Sequence, residues 1–139
     1  MMNKNTIIAI ALLMITLTPA YAQFCPHVKM ISYKDGRYIS IDEYGRTWSS
    51  QVQPYSEKVG VFWQANAWKV SHGMNNEVDR LQCIYVTNVG EEVILGAPTS
   101  GIQHITLNIN ENELIWDSSF GYSKDLLICL NRCEFTLHS

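Results

Sequence analysis

Four cysteines, Cys25, Cys83, Cys129 and Cys133, have the most definite chemistry in this 139-residue chain. An even number of thiols outside an export leader is the pattern of disulfide bonds in an oxidising compartment. The competing chemistry is a structural zinc site, because four thiolates hold zinc and Cys129-Leu-Asn-Arg-Cys133 falls within the loose range of ligand spacings. Such sites draw on two tight pairs, whereas Cys25 and Cys83 each stand alone, so two disulfides are expected and no metal is assigned. Four cysteines allow three pairings. The expectation taken forward joins Cys25 to Cys133 and Cys83 to Cys129, which would tie down both ends of the chain.

The other reactive residues form no recognisable constellation. His27, His72, His104 and His138 are never three or four residues apart, so no local metal motif exists. There is no Gly-x-Ser-x-Gly elbow, and Ser49-Ser50 and Ser118-Ser119 sit in plain polar stretches. Asp42-Glu43, Glu91-Glu92 and the Glu111/Glu113 pair would be the carboxylates of a glycosidase, yet each lies beside turn residues, where solvated carboxylates are the common case. Accordingly, the sequence singles out no catalytic residue and no cofactor.

Aromatic residues are the denser signal: Trp48, Trp63, Trp68 and Trp116, with Tyr33 and Tyr38 and four further tyrosines after residue 40. They either fill a core poor in Leu and Phe or form a binding face, since Trp and Tyr dominate interface hot spots. A regular strand through Trp63 and Trp68 would send the two rings to opposite faces, leaving one of them outside a single core. Exposed rings also stack on sugars, so a glycan ligand belongs to the same reading.

The elements that must hold these residues read as β. Asp35-Gly36 between two alternating segments predicts a two-residue hairpin turn, which sets Lys34 opposite Arg37, Tyr33 opposite Tyr38 and Ser32 opposite Ile39. Further strands are predicted over Arg46 to Val52, Val61 to Val70, Arg80 to Thr87, Glu92 to Leu95, His104 to Ile109 and Leu114 to Trp116; the apolar run Asp125 to Leu130 reads as a final strand or one helical turn, with the strand favoured. Turn residues at Glu43 to Gly45, Asn88 to Gly90, Pro98 to Gly101 and Asn110 to Asn112 punctuate them. Outside the leader, no window carries a helical apolar stripe. The expected fold class is therefore all-β: a small sandwich-like antiparallel domain braced by two disulfides.

A leader precedes that domain. Lys4, the apolar run Thr6 to Leu17, Pro19 and the small pair Ala20-x-Ala22 are the parts of a signal peptide, and the run is too short to span a bilayer. Cleavage is expected after Ala22, giving residues 1–22 as signal peptide and 23–139 as one exported domain, periplasmic or secreted, with no membrane span. Gln23 and Phe24 separate Cys25 from the cleavage motif, which disfavours lipidation. The 10 Lys+Arg of the chain, less Lys4, against 13 Asp+Glu give the remainder a charge of about −4. Without a basic patch, nucleic acid is an unsuitable partner.

Cys25-Pro26, the Tyr-x-x-Gly-x-Tyr stretch from Tyr33 to Tyr38, Phe62-x-x-Ala65, Cys83-x-Tyr85, Cys129 and Cys133-x-Phe135 together resemble a family of small exported bacterial proteins carrying only a domain-of-unknown-function label (family 3757). The resemblance implies an exported, cysteine-braced β domain and brings no activity with it. The expected function is a non-enzymatic binding or inhibitor-type module acting on a protein partner. The alternative is a small hydrolase of envelope or extracellular glycans or peptides.

Overall fold

The computed structural model describes residues 22–70, 76–109, 116–118 and 125–139. They form nine strands: β1 (Ser32–Lys34), β2 (Arg37–Ile41), β3 (Thr47–Ser49), β4 (Val59–Lys69), β5 (Glu77–Thr87), β6 (Glu92–Gly96), β7 (His104–Leu107), β8 (Leu126–Cys129) and β9 (Phe135–His138). A single 3₁₀ turn, Val28–Met30, precedes them, and the described residues contain no α-helix. Residues 1–21 of the expected leader lie outside the described residues, as do Leu114, Glu111, Glu113, His72 and Ser119.

The first hairpin follows directly from its turn residues. Asp35 and Gly36 both take positive φ, 52° and 84°, the conformation that a tight two-residue turn demands and that Asp-Gly tolerates. The register is Ser32 to Ile39, Tyr33 to Tyr38 and Lys34 to Arg37. That pairing brings the Tyr33 and Tyr38 rings edge to face at 5.2 Å.

All nine strands belong to one antiparallel sheet, ordered β1-β2-β3-β6-β5-β4-β8, with β7 paired to β5 and to β9. The all-β, disulfide-braced domain is thus as expected, although the two layers of a sandwich are arms of one continuous sheet. Strand β5 makes this possible: Gln82 to Val86 pair with β6, whereas Glu77 and Val78 pair with β7. The β7-β9 arm folds over the β2-β3 arm, because Trp48 of β3 packs on Phe135 of β9 at 5.6 Å. The core between them includes Tyr38, Trp48, Leu81, Leu95, Leu107 and Phe135, all essentially inaccessible. Gln23 closes the join, pairing its backbone with Phe135 while its side chain bonds Asp42 and Arg46.

The disulfide pairing differs from the one expected. Cys25 bonds Cys83, and Cys129 bonds its near neighbour Cys133. Cys83 lies on the inner face of central β5, where residues 24–28 pass beneath it and Tyr85 donates a hydrogen bond to the Pro26 carbonyl. Cys129 ends β8, and the turn that follows returns Cys133 at once. Each cystine thus ties its segment to the sheet, and it is the Gln23–Phe135 backbone pairing, not a disulfide, that joins the two ends of the domain.

Candidate functional site

Strand β4 decides where the aromatics point. Phe62 faces Tyr85 and Gln64 faces Ile84, which leaves Trp63 as the extra residue of a β-bulge; a second register shift leaves Gly60 extra between Val59 and Val61. Each bulge resets the alternation, so Val59, Phe62, Ala65 and Ala67 turn toward the core. Trp63 and Trp68 consequently share the outer side, where a regular strand would have separated them. Trp63 is 60% exposed. Trp68 is half-buried beneath the Arg80 guanidinium, which sits 3.7 Å from the centre of its ring.

The remaining aromatic candidates serve the fold. Trp48 is wholly buried, and its Nε1 donates to Asp42 Oδ2 at 3.4 Å. Trp116 is also buried, donating to the Glu134 carbonyl. Tyr38 is buried with its hydroxyl donating to the Glu57 carbonyl, while half-buried Tyr33 donates to the Gln53 carbonyl. Tyr55 covers both rings, at 5.3 Å from Tyr33 and 6.2 Å from Tyr38. These groups are satisfied within the chain, which leaves Trp63 as the most exposed ring among the six candidates.

Next to Trp63 along β4, Val61 and Phe62 line an apolar groove of about 340 Å³ together with Phe24, Cys25, Pro26, Val28 and Cys133, with His27, Asn131 and Arg132 at polar positions and Gly60 completing it. It exists because β8 pairs only with Ala65 to Trp68 of β4. Past Ala65 the β4 edge has no strand beside it among the described residues, and residues 24–28 and 131–133 form the opposite wall. The lining is held in place covalently by Cys25–Cys83 and Cys129–Cys133. Underneath, Phe62 packs on Tyr85 at 5.6 Å, and burial pushes the Tyr85 phenol well above its ordinary value, so it stays a donor to Pro26.

Phe24 is 55% exposed and Val61 56% exposed at the mouth of this groove. Arg132 takes a positive φ of 55°, a conformation costing a residue with a Cβ roughly 1–2 kcal/mol. Its guanidinium enters no ion pair among the described residues. No carboxylate lines the groove, so the charge at its rim is that of Arg132, although the chain as a whole is net negative.

The chain matches no protein-family model, no curated protein and no solved structure. Its site must therefore be judged from its own geometry. Among the described residues no three His, Cys, Asp or Glu side chains converge as metal ligands. His104 and His138 stack face to face at 4.1 Å across β7 and β9, an arrangement that sequence spacing could not reveal because their pairing crosses 34 residues. Burial and the neighbouring His104 charge lower the His138 imidazole, partly opposed by Glu77. The Asp42 carboxylate is committed to structure, accepting from the backbone N–H of Tyr44 and Arg46 and from the Gln23 and Arg46 side chains.

Sequence reasoning missed the groove itself. Phe24 and Val61 drew no attention because single apolar residues carry little information. The available signal was Val59-Gly-Val-Phe-Trp63, an apolar run too dense for a half-buried strand and broken by a glycine.

Proposed function

We propose that this chain is an exported, non-enzymatic binding module that grips a protein partner at the groove between β4 and the two cystines. One observation carries the reading: Phe24 and Val61 are large apolar side chains exposed together at the mouth of a disulfide-walled apolar groove, and the exposed Trp63 follows the groove-lining Phe62 along β4. Exposed apolar surface rimmed by polar groups is characteristic of interaction sites. Rigid walls limit the ordering cost that association must meet. The fitting occupant is an apolar anchor side chain of another protein beside a carboxylate, which Arg132 would pair with. Two disulfides, and the absence among the described residues of a helix long and apolar enough to cross a membrane, suit an exported module. The motif resemblance to the exported domain-of-unknown-function family points the same way. A hydrolase of envelope glycans or peptides finds less support, since Asp42 is already fully hydrogen-bonded and Glu91-Glu92 lies at the end of a turn and the exposed start of β6.

The test immobilises the exported domain and exposes it to native envelope and medium, alongside Val61→Glu and Trp63→Ala variants. The retained protein is then purified and titrated directly. Wild type should bind it, and each variant should weaken binding by at least about 2 kcal/mol if it removes a hot spot, while Trp63→Ala alters unfolding stability by no more than about 0.5 kcal/mol. Equal affinity of all three for every retained protein would overturn the reading.

A further inference from the structure

A second site occupies the outer face of the sheet and shares no residue with the apolar groove. Gln82 of β5, Gly96 of β6 and Ser49 of β3 lie opposite one another in register. Their neighbours along the strands, Leu81, Cys83, Leu95 and Trp48, are all buried, so this row faces outward. Gly96 puts no side chain in the middle of it. A Cβ there would meet only the Ser49 carbonyl, at 3.7 Å; the position has room that the sequence leaves empty. The result is a notch of about 370 Å³ floored by Gly96 and Ile94.

Around the floor stand Gln51, Gln53 and Gln82, with Arg37 and Glu92. Among the described residues, the three amides and Glu92 make no side-chain hydrogen bond within the chain, and Arg37 uses a single N–H on the Ser50 carbonyl at 3.3 Å. Each free amide offers two donors and an acceptor, matching hydroxyl groups that each donate once and accept twice. One guanidinium and one carboxylate cancel in charge, which suits neither a polyanion nor a polycation. Ile94 offers an apolar patch for the C–H face of a ring. The geometry points to a carbohydrate site: the notch holds one ring of a neutral hexose or N-acetylhexosamine oligosaccharide. The protein then carries a glycan on one face of its sheet and a protein partner at its groove.

The experiment records amide and side-chain NMR shifts of the exported domain titrated with short glucose and N-acetylglucosamine oligomers. At least one series should give saturable shifts at Ser49, Gln82, Gly96 and the Gln51 and Gln53 side-chain amides. Gln82→Ala should weaken binding by about fivefold through loss of its hydrogen bonds. Gly96→Val, which fills the notch, should abolish binding while the spectrum stays dispersed; Gly96→Ala serves as the milder block should valine prevent folding. Absence of a saturable shift with either series overturns the proposal. Binding unaffected by Gln82→Ala and by notch filling, or shifts confined to Phe24, Val61 and Trp63, does so equally. Because Val61→Glu leaves the notch intact, sugar binding survives failure of the protein-partner reading.

Discussion

At the scale of single residues, Asp42 gathers more side-chain hydrogen bonds than any of the aromatic candidates. It sits where β2 turns toward β3 and accepts from two backbone N–H groups, Gln23 Nε2, Arg46 Nε and, at longer range, Trp48 Nε1. Burial works against its charge, but those hydrogen bonds and the Arg46 guanidinium prevail and hold the carboxyl below its ordinary value. A carboxylate favoured in the folded state stabilises above its unfolded pKa of about 4, and that contribution is lost as pH falls through the lower folded value. Asp42→Asn replaces an acceptor oxygen by a donor facing Gln23 and Arg46. The variant should lose about 1.5–3 kcal/mol at neutral pH, the range for hydrogen bonds to a charged group. Urea unfolding at stepped pH should show the gap between the two proteins closing below about pH 4. A gap of constant size down to pH 2 would mean that the charge on Asp42 is immaterial.

Among the elements, legibility followed local information. The β1-β2 register was readable because Asp35-Gly36 dictates turn geometry and the turn dictates every pair after it. Strand β4 was only half readable: its extent was clear, but bulges at Gly60 and Trp63 are set by the partner strand, so the face of each ring was not. The cystine partners were unreadable for the same reason. Cys25 meets Cys83 because a segment crosses beneath β5, a tertiary event with no local signature. Loop length now separates the two bonds, at 58 and 4 residues. In the chain-entropy account, the longer loop stabilises by about 4 kcal/mol and the shorter by about 2. Urea midpoints of Cys25→Ala/Cys83→Ala and Cys129→Ala/Cys133→Ala double variants should differ in that order. Reversal of the order would show that Cys129–Cys133 has a larger part in holding β8 and β9 than its loop size implies.

For the molecule as a whole, covalent bracing and place of residence become one question. A chain with 117 residues beyond its expected leader buries little more than 60% of its unfolded surface, and such domains keep only about 5–15 kcal/mol of net stability. Losing about 4 kcal/mol with the Cys25–Cys83 bond therefore removes a quarter or more of it. The groove goes at the same time, because residues 24–28 form one of its walls and Cys25 holds them to β5. Reduction should therefore open the groove before it unfolds the sheet. Residues 23–139 produced in a reducing cytosol should show four titratable thiols and a lower urea midpoint than protein exported with its leader. Exported protein should begin at Gln23, show no free thiol, and fall to the cytosolic midpoint when reductant is added. Equal midpoints for the two preparations, with thiols free in one and bonded in the other, would sever stability from compartment and leave the cystines as wall-builders for the groove alone.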